Sequence, residues 1–235
     1  MKKTILALAA LAVGVSASAQ EAAKTNALAV TLDVTYVSNY VFRAEKLSNS
    51  AFQPSVEAAY GDFYAGIWHS GALNNGELSE TDLYVGYNLA INDTFFADIG
   101  ATRYTYKNVA GNNDATEAFA GVKANVFLSP SVYYYYDFDN AVSSVIGSIG
   151  HSVPVEKLGV SLDFSGTVGY VQRPGSPGKD YTYYGVGVAV PYKISDKATL
   201  TGAVNYTTTD RSNNGTTGFN DQDQIVYSIG ISVGF

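Results

Sequence analysis

The sequence predicts an all-β protein, an up-and-down antiparallel transmembrane β-barrel of about twelve strands. Apolar and polar residues alternate with a period of two along most of the chain, as in strands with one apolar face. The alternating segments are near the roughly nine to eleven residues that a tilted strand needs to cross a bilayer. Short turns alternate with long polar loops between these segments, which is typical of outer-membrane barrels.

The first residues are typical of a secretory signal peptide. Two lysines precede an apolar run at residues 5–15, and Ala17-Ser18-Ala19 has the small-x-small pattern of a cleavage site. The apolar run is too short for a membrane-spanning helix. We therefore expect a signal peptide at residues 1–19, a short periplasmic tail at 20–27 and the barrel at 28–235.

The composition limits the class of protein and its partners. Only 15% of the residues are charged, below the roughly 25% of soluble domains, while the chain contains 19 tyrosines. The formal charge of −7 argues against nucleic acid as a partner. The chain contains no cysteine, so its stability must come from packing and backbone pairing.

One face of each predicted strand is apolar and is expected to contact lipid. In chain order these faces include Leu32 and Val34, Val56 and Ala58, Leu83 and Val85, Ala120 and Val122, Val132 and Tyr134, Phe164 and Val168, Val186 and Val188, and Leu200 and Val204. Residues 63–70 and 142–153 alternate poorly, and their faces stay unassigned. Aromatic rings near strand ends are expected in the interfacial girdles. These are Tyr60, Phe95, Tyr104, Tyr106, Tyr134, Tyr136, Phe138, Tyr170 and Tyr206.

The last predicted strand, residues 227–235, carries apolar residues at alternate positions and finishes on Phe235. This pattern is similar to the assembly signal that outer-membrane barrels present to their insertion machinery. We therefore expect the barrel-assembly machinery to recognise this strand, and outer-membrane lipid and lipopolysaccharide to surround the barrel.

Acidic residues fall on the faces opposite the apolar stripes. A charge on the lipid face is destabilising at mid-depth, so these residues should face the lumen. The predicted pore-lining set is Asp33, Glu57, Asp82, Asp98, Glu117, Asp137 and Asp163, with Lys123 as the inward base and Arg43 near the mouth. So many carboxylates in a dry lumen would be costly, which indicates water and a narrow, cation-favouring pore. A hydrated but occluded barrel is the alternative.

An enzyme is the main rival class, because some outer-membrane barrels are lipases or proteases. His69 and His151 are each followed directly by serine. Neighbours on a strand point to opposite faces, so neither pair can act together, and catalysis would need a partner on another strand. We expect no catalytic residues, no cofactor and no metal, although Asp210, Ser212, Asn214 and Asp221 have the spacing of a calcium loop without its flanking helices.

Three short motifs carry a resemblance to a known family. They are YVFR at 40–43, FYAGIW at 63–68 and DLYVGY at 82–87. Together they resemble the TorF-type family of bacterial putative porins over about the first half of the mature chain. Ala44 departs from the family's usual glycine and His69 from a small residue. The resemblance implies an outer-membrane channel, without naming a solute or catalytic residues.

These observations predict a passive, weakly cation-selective channel for small solutes in the outer membrane of a diderm bacterium. A non-conducting barrel that serves structure or surface contact through its long loops is the alternative. A third hypothesis is a soluble β-sandwich that is exported from the cytoplasm.

Overall fold

The computed structural model describes residues 27–110, 114–174, 180–210 and 223–235. Within these residues twelve antiparallel strands form a closed barrel, and two further strands form a separate hairpin. The predicted fold class is therefore confirmed. The strands are β1 Ala29–Val37, β2 Tyr40–Phe42, β3 Glu45–Ser48, β4 Ala51–Tyr60, β5 Phe63–Ala72, β6 Ser79–Ala90, β7 Phe95–Lys107, β8 Ala115–Ala124, β9 Ser131–Asp137, β10 Val142–Val155, β11 Val160–Gln172, β12 Tyr181–Lys193, β13 Ala198–Thr209 and β14 Asp223–Gly234.

The first and last barrel strands close the sheet. β1 pairs with β14 from Thr31 opposite Gly234 to Val37 opposite Ser228, and it pairs with β4 on its other side. Closure leaves the barrel without a sheet edge, so the backbone groups are paired without help from water.

The two rims of the barrel differ in their connections. Short segments at 61–62, 91–94, 125–130, 156–159 and 194–197 join strands at one rim, which we call the short-turn rim. Connections at the other rim, the long-loop rim, include 38–50 and 73–78. By the usual rule for such barrels the long-loop rim is extracellular. The predicted signal peptide lies outside the described residues, as does most of the loop with the calcium-like spacing.

The outer surface is apolar. Large apolar side chains at outward positions are exposed, such as Leu83 at 57% and Val132 at 58%. A continuous surface of this kind needs lipid around it. Among the described residues, no helix is long and apolar enough to cross a membrane.

The strands that alternate poorly in sequence nevertheless have defined faces. In β5 the even-numbered residues Tyr64, Gly66, Trp68 and Ser70 face inward, and in β10 the even-numbered residues also face inward. Most of the predicted girdle residues face outward.

Tyr104 and Tyr106 are the exceptions, and their assignment to the girdle was wrong. Their inward position follows from β7, where Asp98 and the other even-numbered residues face the lumen. The hydroxyl of Tyr104 donates to Glu117, and its ring lies 6.1 Å from that of Phe42.

Inward aromatic rings lie flat against the wall because glycines sit beside them. Each such glycine is the direct cross-strand partner of an aromatic residue, and a Cβ atom on it would overlap with the ring. The pairs are Gly66 with Tyr84, Gly86 with Tyr64, Gly100 with Phe119, Gly121 with Tyr133 and Gly169 with Tyr183. The glycines therefore keep large rings out of the centre of the lumen.

We expect Gly100→Ala to lower the free energy of unfolding by about 1–3 kcal/mol, since its Cβ would overlap with the Phe119 ring and with the backbone oxygen of Val85. Gly202→Ala is the matched control, because a Cβ at that strand position has open space around it. Urea unfolding in lipid vesicles, followed by the fluorescence of Trp68, measures both. Equal stability of the two variants would contradict the packing role of the glycine.

Candidate functional site

The connection between β1 and β4 folds into the lumen as a hairpin. β2 and β3 pair with Phe42 opposite Glu45, which leaves Arg43 and Ala44 as a two-residue turn. Both turn residues have positive φ, 48° and 62°. Such turns usually contain asparagine or glycine, so Ala44 occupies a position where glycine would be less strained.

The base of the hairpin is anchored on the wall near β1. Tyr40 and Val41 are buried in an apolar cluster with Val37, Ala51 and Val226. The hydroxyl of Tyr40 donates to Glu80 at 2.7 Å, and its ring lies 5.5 Å from that of Trp68.

The tip of the hairpin reaches the far side of the barrel. Ala44 packs in a cluster with Ile146, Val171, Tyr181 and Tyr183, which belong to β10, β11 and β12. The hydroxyl of Tyr181 donates to the backbone oxygen of Arg43 at 3.1 Å. These strands lie three to five places from β1 around the twelve-stranded barrel. The hairpin therefore crosses the lumen near the long-loop rim.

Arg43 forms a buried ion pair with Glu117 at this tip. Its two terminal nitrogens lie 2.7 and 2.8 Å from the two carboxylate oxygens, and the residues are only 8% and 3% exposed. The guanidinium carbon lies 4.7 Å from the ring centres of both Phe42 and Tyr135. Burial lowers the pKa of Arg43, but the Glu117 carboxylate outweighs it, and the net pKa is raised above the ordinary value. Arg43 thus lies inside the barrel near the long-loop rim, and its charge is paired with that of Glu117.

The predicted acids occupy inward strand positions, and three of them lie beside neutral donors. Asp33 accepts from Ser55 at 3.3 Å. Glu57 accepts from Tyr84 at 3.1 Å. Asp163 accepts from Ser152. Asp137 lies at the long-loop rim instead, where it accepts from Asn140 and from the backbone N–H groups of residues 139 and 140.

Asp98 has the most complete set of partners. Tyr64 and Tyr133 donate to its two oxygens at 2.9 and 2.7 Å, and the Lys123 ammonium lies 3.2 Å away. The same ammonium lies 5.6 Å from the centre of the Tyr133 ring. From the sequence, only arginine and lysine were considered as partners that could balance the charge of the acids. The tyrosine hydroxyls that donate hydrogen bonds to Asp98 were therefore missed.

Glu80 is a further acidic residue of the lumen that was absent from the predicted pore-lining set. It lies in β6, is 1% exposed, and shares the inward face with Asp82. The two carboxyl groups are buried side by side and interact with each other. The sequence contains the information needed to place Glu80, because Glu80 and Asp82 are two positions apart on one strand and must share a face.

The wall formed by β10 to β14 carries several inward hydroxyl groups beside Asp163, Tyr181 and Tyr183. Ser148 and Thr167 are hydrogen-bonded to each other at 3.1 Å. The hydroxyls of Ser144, Thr207 and Ser228 are buried without partners among the described residues. Apart from Asp163 on β11, the inward acids named here therefore lie on β1 and β4 to β9, and the inward hydroxyls of Ser144, Ser148, Thr167, Thr207 and Ser228 lie on β10 to β14.

Both histidines point away from the lumen. Nδ1 of His69 lies 2.9 Å from the hydroxyl of Thr81, and the His151 ring packs against Phe127. The described residues contain no group of three or more histidine, cysteine, aspartate or glutamate side chains placed to hold a metal.

We expect Tyr40→Phe to lower the free energy of unfolding by about 1–3 kcal/mol, because the buried Glu80 would lose its closest donor. Tyr60→Phe removes a hydroxyl from an exposed outer-face ring and serves as the control. The emission of Trp68, which touches Tyr40, should shift in the first variant only. Unchanged stability and emission in Tyr40→Phe would contradict the anchoring role.

Several solved structures share this fold. The "KdgM porin" superposes with a TM-score of 0.59 at 14% identity, covering 87% of this chain and 99% of that one. The "NanC porin" gives 0.58 at 12% identity, covering 86% and 98%. The "COG4313 outer membrane channel from Pseudomonas putida F1" gives 0.59 at 8% identity, covering 90% and 96%. At these identities the likeness shows the fold, which is that of outer-membrane barrels.

No curated protein matches the chain significantly. The sequence matches one family over residues 20–232, which is most of its length. The chain belongs to this family, described as "Bacterial protein of unknown function (Gcw_chp)".

Proposed function

We propose that the barrel is a narrow, passive, cation-favouring channel for small solutes in the outer membrane. The observation that carries this proposal is the excess of acidic over basic side chains on the inner wall. Among the described residues, the inward acids with a basic partner are Asp98 and Glu117. The remaining inward acids named above have neutral donors or none.

The central and short-turn part of the lumen is where this charge would act on a solute. Asp33 and Glu57 are partly exposed on neighbouring strands. Their donors, Ser55 and Tyr84, stabilise the carboxylates without cancelling their charge. Carboxylates in a water-filled passage with low-dielectric walls concentrate cations and repel anions.

The hairpin makes the passage narrow. A twelve-stranded barrel is intermediate between filled eight-stranded barrels and open porins of sixteen or more strands. Here β2 and β3 cross the lumen, so any solute passes beside them. The same observation favours the second candidate, a non-conducting barrel that serves structure or surface contact.

The similar structures support a channel but suggest a different solute. One of them is the "KdgM porin in complex with disordered oligogalacturonate". An anionic oligosaccharide would be repelled by the acidic wall of this chain, so we propose neutral or cationic solutes. The resemblance to TorF-type porins through residues 40–43, 63–68 and 82–87 agrees with a channel.

We also propose how the barrel reaches the membrane. Residues 1–19 would direct export and be removed. β14 exposes Tyr227, Ile229 and Ile231 on its outer face, and the assembly machinery would recognise this strand. Outer-membrane lipid and lipopolysaccharide would then cover the apolar surface.

The test is the reversal potential of the refolded protein in a planar bilayer under a potassium chloride gradient. We expect wild-type channels to favour potassium, and Asp33→Asn with Glu57→Gln to lose about half or more of that preference, since two lumen charges disappear. Glu156→Gln with Asp196→Asn removes two acids from the short-turn connections, outside the lumen, and should leave selectivity unchanged.

Equal selectivity in all three proteins would contradict the role of the acidic wall. A correctly folded, inserted barrel that passes no current would overturn the channel and support the non-conducting candidate.

A further inference from the structure

The guanidinium of Arg43 occupies a binding site that the barrel wall supplies. Both oxygens of Glu117 accept from it, and the Tyr104 hydroxyl fixes one of those oxygens at 2.9 Å. The ring of Tyr135 covers one guanidinium face. These three residues lie on β7, β8 and β9, so they remain in place whatever the hairpin does.

We infer that this wall site binds free guanidinium-type cations, and that Arg43 is a tethered occupant which keeps the hairpin across the pore. The inference rests on the proposed channel and names its solute class. Solutes that carry a guanidinium group would compete with Arg43 for Glu117 and would favour withdrawal of the hairpin tip.

The chemistry of the site favours a planar, forked cation. A carboxylate that accepts two parallel N–H bonds matches guanidinium, whereas an ammonium or a potassium ion acts as a point charge. An aromatic face beside the cation adds cation–π attraction. Nε of Arg43 is buried without a partner among the described residues. The site therefore uses only the two terminal nitrogens, which any guanidinium group also presents.

Withdrawal of the tip leaves the barrel intact. The hairpin forms its own two-stranded sheet and is not inserted between barrel strands. Its turn places two residues other than glycine in the left-handed region, a conformation that costs free energy. The ion pair and the apolar contacts of Ala44 must offset that cost. A solute that takes the place of Arg43 on Glu117 removes one of these two contributions, and the strained turn then favours withdrawal of the tip.

The same wall holds a second cation in a similar way. Lys123 lies beside the Asp98 carboxylate and over the Tyr133 ring. Arg43 and Lys123 therefore each contact a carboxylate and a tyrosine ring on this wall. This repeated arrangement supports the proposal that the wall binds organic cations.

The experiment compares Arg43→Ala with the double variant Arg43→Ala/Glu117→Gln. Both remove the tethered cation, and only the first keeps the carboxylate. We expect Arg43→Ala to conduct more than the wild type, and millimolar guanidinium chloride to reduce its current. The guanidinium concentration needed for half of this effect should be about tenfold lower than in the double variant. Ammonium chloride at the same ionic strength is the control salt and should have little effect.

Thermal unfolding in detergent gives a second readout that needs no current. Millimolar guanidinium should raise the unfolding temperature of Arg43→Ala but not that of the double variant, because only the first offers a site in the folded state. Equal responses of the two variants in this measurement would overturn the inference. If guanidinium stabilises Arg43→Ala while no protein conducts, the binding site stands and the channel function fails.

Discussion

The structure depends on one constraint, which is that every backbone polar group inside a bilayer needs a partner within the protein. The pairing of β1 with β14 meets this constraint by closing the sheet. Closure then fixes which side chains meet lipid, because side chains alternate along every strand. Acids such as Asp33 and Asp98 face inward because the outward positions contact hydrocarbon, where a charge is costly. The inward direction of these acids is thus a consequence of closure combined with alternation.

The lumen can hold these acids because glycines leave room for tyrosine rings along the wall, and the tyrosine hydroxyls donate hydrogen bonds to the acids. Gly86 lets the Tyr64 ring lie along the wall, and Gly121 does the same for Tyr133. Both hydroxyls then reach Asp98, which lies between them in the barrel. Gly66 has the same place beside Tyr84, whose hydroxyl donates to Glu57 without adding positive charge. Space therefore remains beside the wall for the hairpin.

The sequence predicted features that depend on local periodicity and missed those that depend on partners across strands. The inward faces of β1, β8, β9 and β14 followed directly from alternation, as did the strand number and the two kinds of connection. Tyr104 was misplaced because its position near a strand end resembles that of a girdle residue, and only its parity with Asp98 separates the two cases. The burial of Arg43 could not be predicted, because no local pattern in residues 38–50 indicates that this connection folds into the lumen. Its destination depends on Glu117, which is 74 residues away along the chain.

The ion pair between Arg43 and Glu117 positions the hairpin more than it stabilises the fold. Removing two charges from water costs about as much as their attraction returns, so a buried pair is close to neutral for folding. Its geometry is nevertheless specific, since a forked guanidinium fits a carboxylate in one orientation. The left-handed turn at Arg43 and Ala44 adds a further cost. The ion pair therefore gives the tip of the hairpin a defined position, while the buried clusters around Tyr40 and Ala44 hold the hairpin on the wall. That combination is suited to an element that narrows a pore and yields to a competing solute.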